Sequence, residues 1–228
     1  MNSGNAGVPA AGRIRGLYAI LDPSAAVRGG EDPETSLDLA LSEALEGGCR
    51  TFQYRDKFSP ARLLLARAKR FACACREAGA LFLVNDRLDV ALLSGAEGCH
   101  LGQDDLPLPA ARRIVPENFL LGVSTHNVSE ARKAQEDGAD YIGVGAVYRT
   151  MSKDDALEPR GPGLVQEVSE AVSIPTVAIS GITRENAREV IRAGAAAFAV
   201  ISNLFSGPGV RERTEEFLRI WEEETSRR

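Results

Sequence analysis

The chain has 228 residues, 44% hydrophobic and 26% charged, an ordinary globular composition that excludes a disordered chain and suffices to bury a core without disulfides or metal. Its net charge of −5 argues against a broad nucleic-acid or anionic-membrane surface but permits a local cationic pocket. The longest apolar run, Ala193 to Ile201, spans nine residues including a glycine, whereas a membrane helix needs about 20.

Met1 to Arg15 is rich in Gly, Ala, Ser and Asn and lacks a signal-peptide apolar core. It reads as a disordered leader, with one folded domain over 16–228. From there, short apolar runs alternate with amphipathic stretches. The predicted strands are Leu17–Leu21, Thr51–Tyr54, Leu81–Val84, Gly98–Leu101, Leu120–Val123, Tyr141–Val144, Thr176–Ile179 and Ala197–Ile201. Several are continuously hydrophobic, as strands covered on both faces are. Helical periodicity marks Ser36–Glu46, Pro60–Glu77, Ser129–Asp137, Leu164–Val172, Arg184–Ala193 and Val210–Glu224.

Gly48, Gly79, Gly95, Gly138 and Gly194 each sit between a helical segment and a strand, as helix C-caps do. Ser59, Ser129 and Thr183 are placed to cap helix N-termini. Eight strands alternating with helices in this length predict a single-domain (β/α)₈ TIM barrel. The competing doubly wound sheet lacks its glycine-rich turn, because Asp22-Pro23-Ser24 follows the first strand.

Polar residues gather where the strands end. Gln53, Arg55 and Lys57 alternate at the end of the second strand and so face one side. Asn85 and Asp86 follow the third, Gln103 to Asp105 the fourth, and Ser124 to His126 the fifth. Thr150, Ser152 and Lys153 lie after the sixth, Ser180-Gly181 after the seventh, and Ile201-Ser202 at the end of the eighth. In a barrel these positions form the face where active sites are built. Arg55, Lys57 and Lys153, with the hydroxyls of Thr150 and Ser152, suit a polyanion such as pyrophosphate. Asp86 and Asp105 are on neighbouring strand ends, where carboxylates share Mg²⁺ with phosphate oxygens. Gly181, Ile201 and Ser202 match the usual barrel phosphate site.

Each feature also has a plainer explanation. Arg55 and Lys57 could pair with Asp56 and neighbouring acids on a solvated rim. Asp86 could cap a helix beginning near Arg87, and Asp105 one after Pro107. Ser180-Gly181 could be only a tight turn, and Thr150–Lys153 an exposed loop. None of these predicts that all would meet at one barrel mouth. His100 reads as a satisfied core histidine, and His126 as either a substrate contact or a backbone-bonded ring. Cys49, Cys73, Cys75 and Cys99 form neither a zinc site nor a disulfide framework, as in reduced cytoplasmic proteins.

Several stretches form a specific set: Gln53-Tyr54-Arg55-Asp56-Lys57, Val84-Asn85-Asp86-Arg87-Leu88-Asp89 and His100-Leu101-Gly102-Gln103-Asp104-Asp105-Leu106-Pro107. With them go Gly122-Val123-Ser124-Thr125-His126, Ala139-Asp140-Tyr141-Ile142-Gly143-Val144-Gly145, Thr150-Met151-Ser152-Lys153, Ala178-Ile179-Ser180-Gly181-Ile182 and Val200-Ile201-Ser202. From about Gly16 to Ser206 the chain resembles the thiamine-phosphate synthase (thiamine-phosphate pyrophosphorylase) family. That resemblance implies condensation of 4-amino-2-methyl-5-(diphosphooxymethyl)pyrimidine with 4-methyl-5-(2-phosphooxyethyl)thiazole, giving thiamine phosphate and pyrophosphate. By the same resemblance Gln53, Arg55, Lys57, Asn85 and Ser124 hold the pyrimidine diphosphate, while Asp86 and Asp105 bind Mg²⁺. Thr150 and Ser152 sit near the thiazole phosphate and pyrophosphate, Lys153 stabilises the departing pyrophosphate, and Gly181, Ile201 and Ser202 cradle the thiazole phosphate. Arg55, Lys57, Ser124 and Lys153 are the expected catalytic group. The implied partners are these small molecules, with no nucleic acid or membrane, and a homodimer stays open as the assembly.

The chain departs from the family pattern at Ala146 and Arg149, where prolines are usual, and at Asp56, Ser152 and Ser180, which replace glutamate, threonine and glycine. A thiazole tautomerase on the same barrel is the nearest alternative. It depends on a histidine where this chain has Ala146. A non-catalytic phosphometabolite-binding barrel is the other alternative, and Asp86, Asp105 and Lys153 argue against it.

Overall fold

The computed structural model describes residues 10–27, 30–150 and 158–227. Among them eight parallel strands close into a barrel in sequence order. The elements are β1 (Gly16–Leu21), α1 (Pro23–Ala26), α2 (Pro33–Glu46), β2 (Thr51–Tyr54), α3 (Ala61–Glu77), β3 (Leu81–Asn85) and α4 (Leu88–Ser94). Then come β4 (Gly98–Leu101), α5 (Leu108–Arg112), β5 (Leu120–Thr125), α6 (Val128–Glu136), β6 (Tyr141–Val144) and α7 (Pro162–Ala171). The chain closes with β7 (Thr176–Ala178), α8 (Ala187–Arg192), β8 (Ala197–Val200), α9 (Ser202–Phe205) and α10 (Val210–Thr225). None of these helices is long and apolar enough to cross a membrane.

Period-two alternation sorts each strand between two cores. Phe52 and Tyr54, Phe82 and Val84, and Leu121 and Val123 point outward into the layer between sheet and helices. Tyr18, Leu81, Leu83, Leu120, Tyr141, Val177, Ala197 and Ala199 point inward and fill the barrel. The inward parity on β2, β3 and β5 continues to Gln53, Asn85 and Ser124, so the last inward residue of each is polar. This is how hydrophobic strands deliver polar side chains to one mouth.

The five expected C-cap glycines all carry positive φ, between 67° and 100°. The helix starts differ from expectation. Asp32 caps α2 by accepting the Thr35 N–H at 2.9 Å, which moves its start back to Pro33. Pro60, not Ser59, occupies the N-cap of α3, because the Ser59 hydroxyl accepts from Arg67 instead. Asn127 caps α6 through Glu130 N–H at 2.9 Å, displacing Ser129. Thr183 N–H donates to Asn186, so that stretch is a turn and α8 begins only at Ala187.

Part of the stretch assigned by composition to a leader is structured. Ala10–Arg13 form a 3₁₀ turn, and Ile14 is only 1% exposed inside the barrel. Arg13 pairs with Glu97 at 2.8 Å. Order therefore begins upstream of Gly16, because Ile14 gains more by filling the barrel than it loses in chain entropy. Residues 1–9 lie outside the described residues.

Candidate active site

A cavity of about 730 Å³, counted to its open mouth, occupies the C-terminal end of the barrel. Most of the predicted site residues line it: Gln53, Arg55, Asn85, Ser124, Thr150, Gly181, Ile201 and Ser202. The structure thus gathers side chains from β2, β3, β5 and the loops after β6, β7 and β8. Ser152 and Lys153 lie outside the described residues.

Arg55 is held by Asp22, which the sequence did not mark as part of the site. Asp22 sits at the N-terminus of α1, accepting the Ser24 N–H at 2.9 Å and hydroxyl at 2.6 Å. Its other oxygen makes a very short ion pair with Arg55. Asp56 pairs elsewhere: with Arg67 at 2.9 Å and the Tyr54 hydroxyl at 2.7 Å. Its second oxygen accepts the Phe58 and Ser59 N–H groups. Burial pulls the Asp56 carboxyl upward, but the Tyr54 and Ser59 hydrogen bonds outweigh it and keep it below the usual range. The rim pairing with Asp56 is therefore corrected: Asp56 braces the turn that carries Lys57, and Arg55 pairs with the buried Asp22 instead.

Asp86 and Asp105 face each other beside that cationic edge. Burial, then the Asp105 charge, push the Asp86 carboxyl up to about 6, against the opposing pull of Lys57 and Arg55. Two carboxylates disturb each other in this way at close range. Neither is a helix cap. Arg87 occupies the N-cap of α4 and Pro107 that of α5, with no side-chain cap bond at either. Asp105 instead accepts the Gly102 N–H at 2.6 Å, fixing the tight turn after β4. Asp86 stands at φ 61°, a backbone region few side chains occupy and one associated with functional constraint.

The opposite wall is built from backbone. Gly181 has φ 68°, and a Cβ there would come within 2.5 Å of the Arg149 carbonyl oxygen, so only glycine fits. Val147 and Tyr148 N–H groups bond the Ile179 and Ser180 carbonyls, tying the loop after β6 to the loop after β7. The Gly145–Ala146 peptide is cis. His126 Nδ1 bonds the Gly145 carbonyl at 2.7 Å, so of its two readings the backbone-bonded one holds. All four cysteines are free, and burial raises the thiols of Cys49, Cys75 and Cys99, which keeps them protonated.

Tyr18, His100 and Tyr141 also line the cavity. Tyr18 lies in none of the stretches that carry the family resemblance, and Tyr141 lies in one that assigned it no role. His100 is satisfied, as expected, but within the cavity wall. Among the described residues no group of three or more His, Cys, Asp or Glu side chains could hold a metal.

The sequence model of the family described as thiamine monophosphate synthase matches residues 17–204. A thiamine-phosphate synthase of Shouchella clausii is 43% identical over 209 residues, covering 91% of this chain and 96% of that protein. Another, from Methanospirillum hungatei, is 45% identical over 202 residues, covering 89% and 95%. The solved thiamine phosphate pyrophosphorylase from Pyrococcus furiosus superposes with a TM-score of 0.82 at 37% identity, covering 93% of this chain and 98% of that one. A barrel of this topology, matched along nearly its whole length, belongs to the thiamine monophosphate synthase family.

Proposed function

We propose that this chain joins the pyrimidine diphosphate to the thiazole phosphate, as a transferase of thiamine biosynthesis acting on small molecules. The observation that carries the reading is that Arg55 lines a cavity closed on another side by Gly181 and Ser202, while Lys57, Asp86 and Asp105, which do not line it, gather beside Arg55. A dissociative step needs its leaving-group charge neutralised more than it needs a general base. The C–O bond to pyrophosphate breaks and its electron pair leaves with the pyrophosphate oxygen. The thiazole nitrogen then donates its lone pair to the pyrimidine-stabilised methylene cation, forming the C–N bond with no proton transferred.

Gln53, Asn85 and Ser124 hold the pyrimidine end. Arg55 and Lys57 take the diphosphate charge, with Lys153 and the hydroxyls of Thr150 and Ser152 on the departing side. Gly181, Ile201 and Ser202 receive the thiazole phosphate. Asp86 and Asp105 have the chemistry of a hard-cation site, because a buried carboxylate pressed by a neighbouring one gains from a shared divalent ion. They would hold Mg²⁺, which when bound supplies charge neutralisation at the diphosphate. Neither alternative barrel draws support: Ala146 stands where the tautomerase needs histidine, and a pure binder has no use for the cation cluster.

The exposed apolar side chains Leu93 and Ile114 support a homodimer, and sedimentation as a monomer at micromolar concentration would remove that assembly. Free cysteines support the cytoplasm as the compartment. The test of function is direct: both substrates with Mg²⁺ should yield thiamine phosphate and pyrophosphate in equal amounts. No product under those conditions would sink the reading, and full activity in excess chelator would remove the metal.

A further inference from the structure

We infer that Tyr18, Tyr141 and His100 form a one-way hydrogen-bond relay, fixing Gln53 as an acceptor and Ser124 as a donor toward the pyrimidine. The inference deepens the pyrimidine subsite proposed above and rests on it for the identity of the ligand.

The direction follows link by link. Gln53 Nε2 donates to the Tyr18 hydroxyl oxygen at 2.9 Å. Tyr18 Oη lies 2.8 Å from Tyr141 Oη, and with Gln53 donating to Tyr18, the arrangement that gives the Tyr18 proton a partner in this chain directs it to Tyr141. Tyr141 Oη is 3.0 Å from His100 Nδ1, and passes its own proton on in the same way. An imidazole whose Nδ1 accepts carries its proton on Nε2. That nitrogen is 2.9 Å from Ser124 Oγ, so the serine oxygen accepts there and turns its proton toward the cavity. At the other end Gln53 has committed an amide N–H to Tyr18, and its carbonyl oxygen serves the cavity. Reversing one link alone would leave a hydroxyl or ring proton without its partner in this chain.

The barrel is cleared to hold this chain. A Cβ at Gly122 would lie 2.1 Å from the Tyr141 ring, and one at Gly143 would lie 3.2 Å from the His100 ring. Register explains why: His100, Gly122 and Tyr141 are side by side on β4, β5 and β6, and Gly143 pairs with Ser124. Tyr18 is 1% exposed and Tyr141 fully buried, and burial raises both phenols far enough that they stay protonated. The edge of a 4-aminopyrimidine offers an N–H donor beside a ring-nitrogen acceptor, complementary to Gln53 and Ser124. A 4-oxo analogue exchanges those roles. Tyr18, Tyr141 and His100 are positioning residues here, acting through the two side chains that touch the ligand.

The chain has two histidines, which makes the relay readable by long-range ¹H–¹⁵N spectra of the free protein. His126, with Nδ1 on a carbonyl oxygen, must be the Nδ1–H tautomer, and His100 must be the opposite one. A proton on His100 Nδ1 reverses the relay and overturns the inference, whether or not the protein makes thiamine phosphate. The second arm compares amino and oxo pyrimidine diphosphates in wild type and Tyr141→Phe. Wild type should favour the amino compound by about a hundredfold or more. Tyr141→Phe should cut that preference by about tenfold while leaving the thiazole-phosphate KM within about twofold. Undiminished preference overturns the relay, and so does a collapse of both KM values together, which marks a structural role only. If Tyr141→Phe does not fold, Tyr18→Phe breaks the same chain one link earlier and is read by the same two measurements. Intact tautomers with no activity on either pyrimidine would count against the proposed reaction instead.

Discussion

Asp86 and Ser180 hold left-handed backbone at φ 61° and 76°, a conformation that costs an L side chain about 1–2 kcal/mol. At Ser180 the family pattern has glycine, which adopts it freely. Ser180→Gly is expected to raise stability by about 1 kcal/mol, seen as a higher denaturant midpoint at unchanged slope; an unchanged midpoint would mean that local contacts already offset the strain. Asp86 carries its cost at the cation cluster. On the proposed function, Asp86→Ala and Lys153→Ala should each lower kcat by about a hundredfold or more, with little change in the thiazole-phosphate KM, because that reading assigns both to the departing charge. Steady-state kinetics returning a raised KM with kcat intact would refute that placement. The nearness of Asp86, Asp105, Arg55 and Lys57 was legible in the sequence because they follow neighbouring strands in mixed-sign clusters, whereas Lys153 lies outside the described residues. Tyr18, Tyr141 and Asp22 were not legible. A tyrosine inside an apolar run gives no local sign of whether its hydroxyl meets a cavity or a core, and Asp22 stands in a turn that serves equally as a cap.

The strands were legible almost residue by residue, because continuous apolar runs bounded by glycine have few other readings. Their ends were less so. β5 runs to Thr125 and β3 to Asn85, while β7 stops at Ala178 and β8 at Val200. Barrel register with the neighbouring strand fixes those limits, and a single strand's sequence does not contain it. Short helices were the main loss: α1 and α9 have four residues each, too few turns for a period to emerge. What joins elements is often a missing side chain. Gly122 lets the Tyr141 ring cross β5 toward His100, so Gly122→Ala should cost about 3 kcal/mol by overpacking and raise the pyrimidine-diphosphate KM. Gly163→Ala, in α7 with nothing within 4 Å of the new Cβ, should instead be neutral or add up to about 1 kcal/mol of helix propensity. Thermal melts of the pair check the contrast, and equal effects would mean that the ring relocates at no cost.

Across the whole molecule the barrel separates what makes it stable from what makes it act. The C-terminal mouth carries like-charged carboxylates and left-handed side chains. The opposite end is closed by the turn ahead of β1. There Ile14 enters the barrel interior beside Leu81, Leu120 and Ala197. Arg13 clamps it from outside through Glu97, whose other oxygen accepts the Phe82 N–H at 3.0 Å. A fully buried isoleucine truncated to alanine leaves a cavity that closely packed strands cannot fill, so Ile14→Ala should cost about 2–5 kcal/mol. The same change should leave kcat and both KM values where they are, because active sites of this fold lie at the other face. Denaturation and steady-state kinetics on one preparation decide the matter. A large loss of activity at a temperature where Ile14→Ala remains folded would mean that the floor of the barrel sets the geometry of its mouth through the intervening layer of Tyr18 and Tyr141. The two ends would then not be separable.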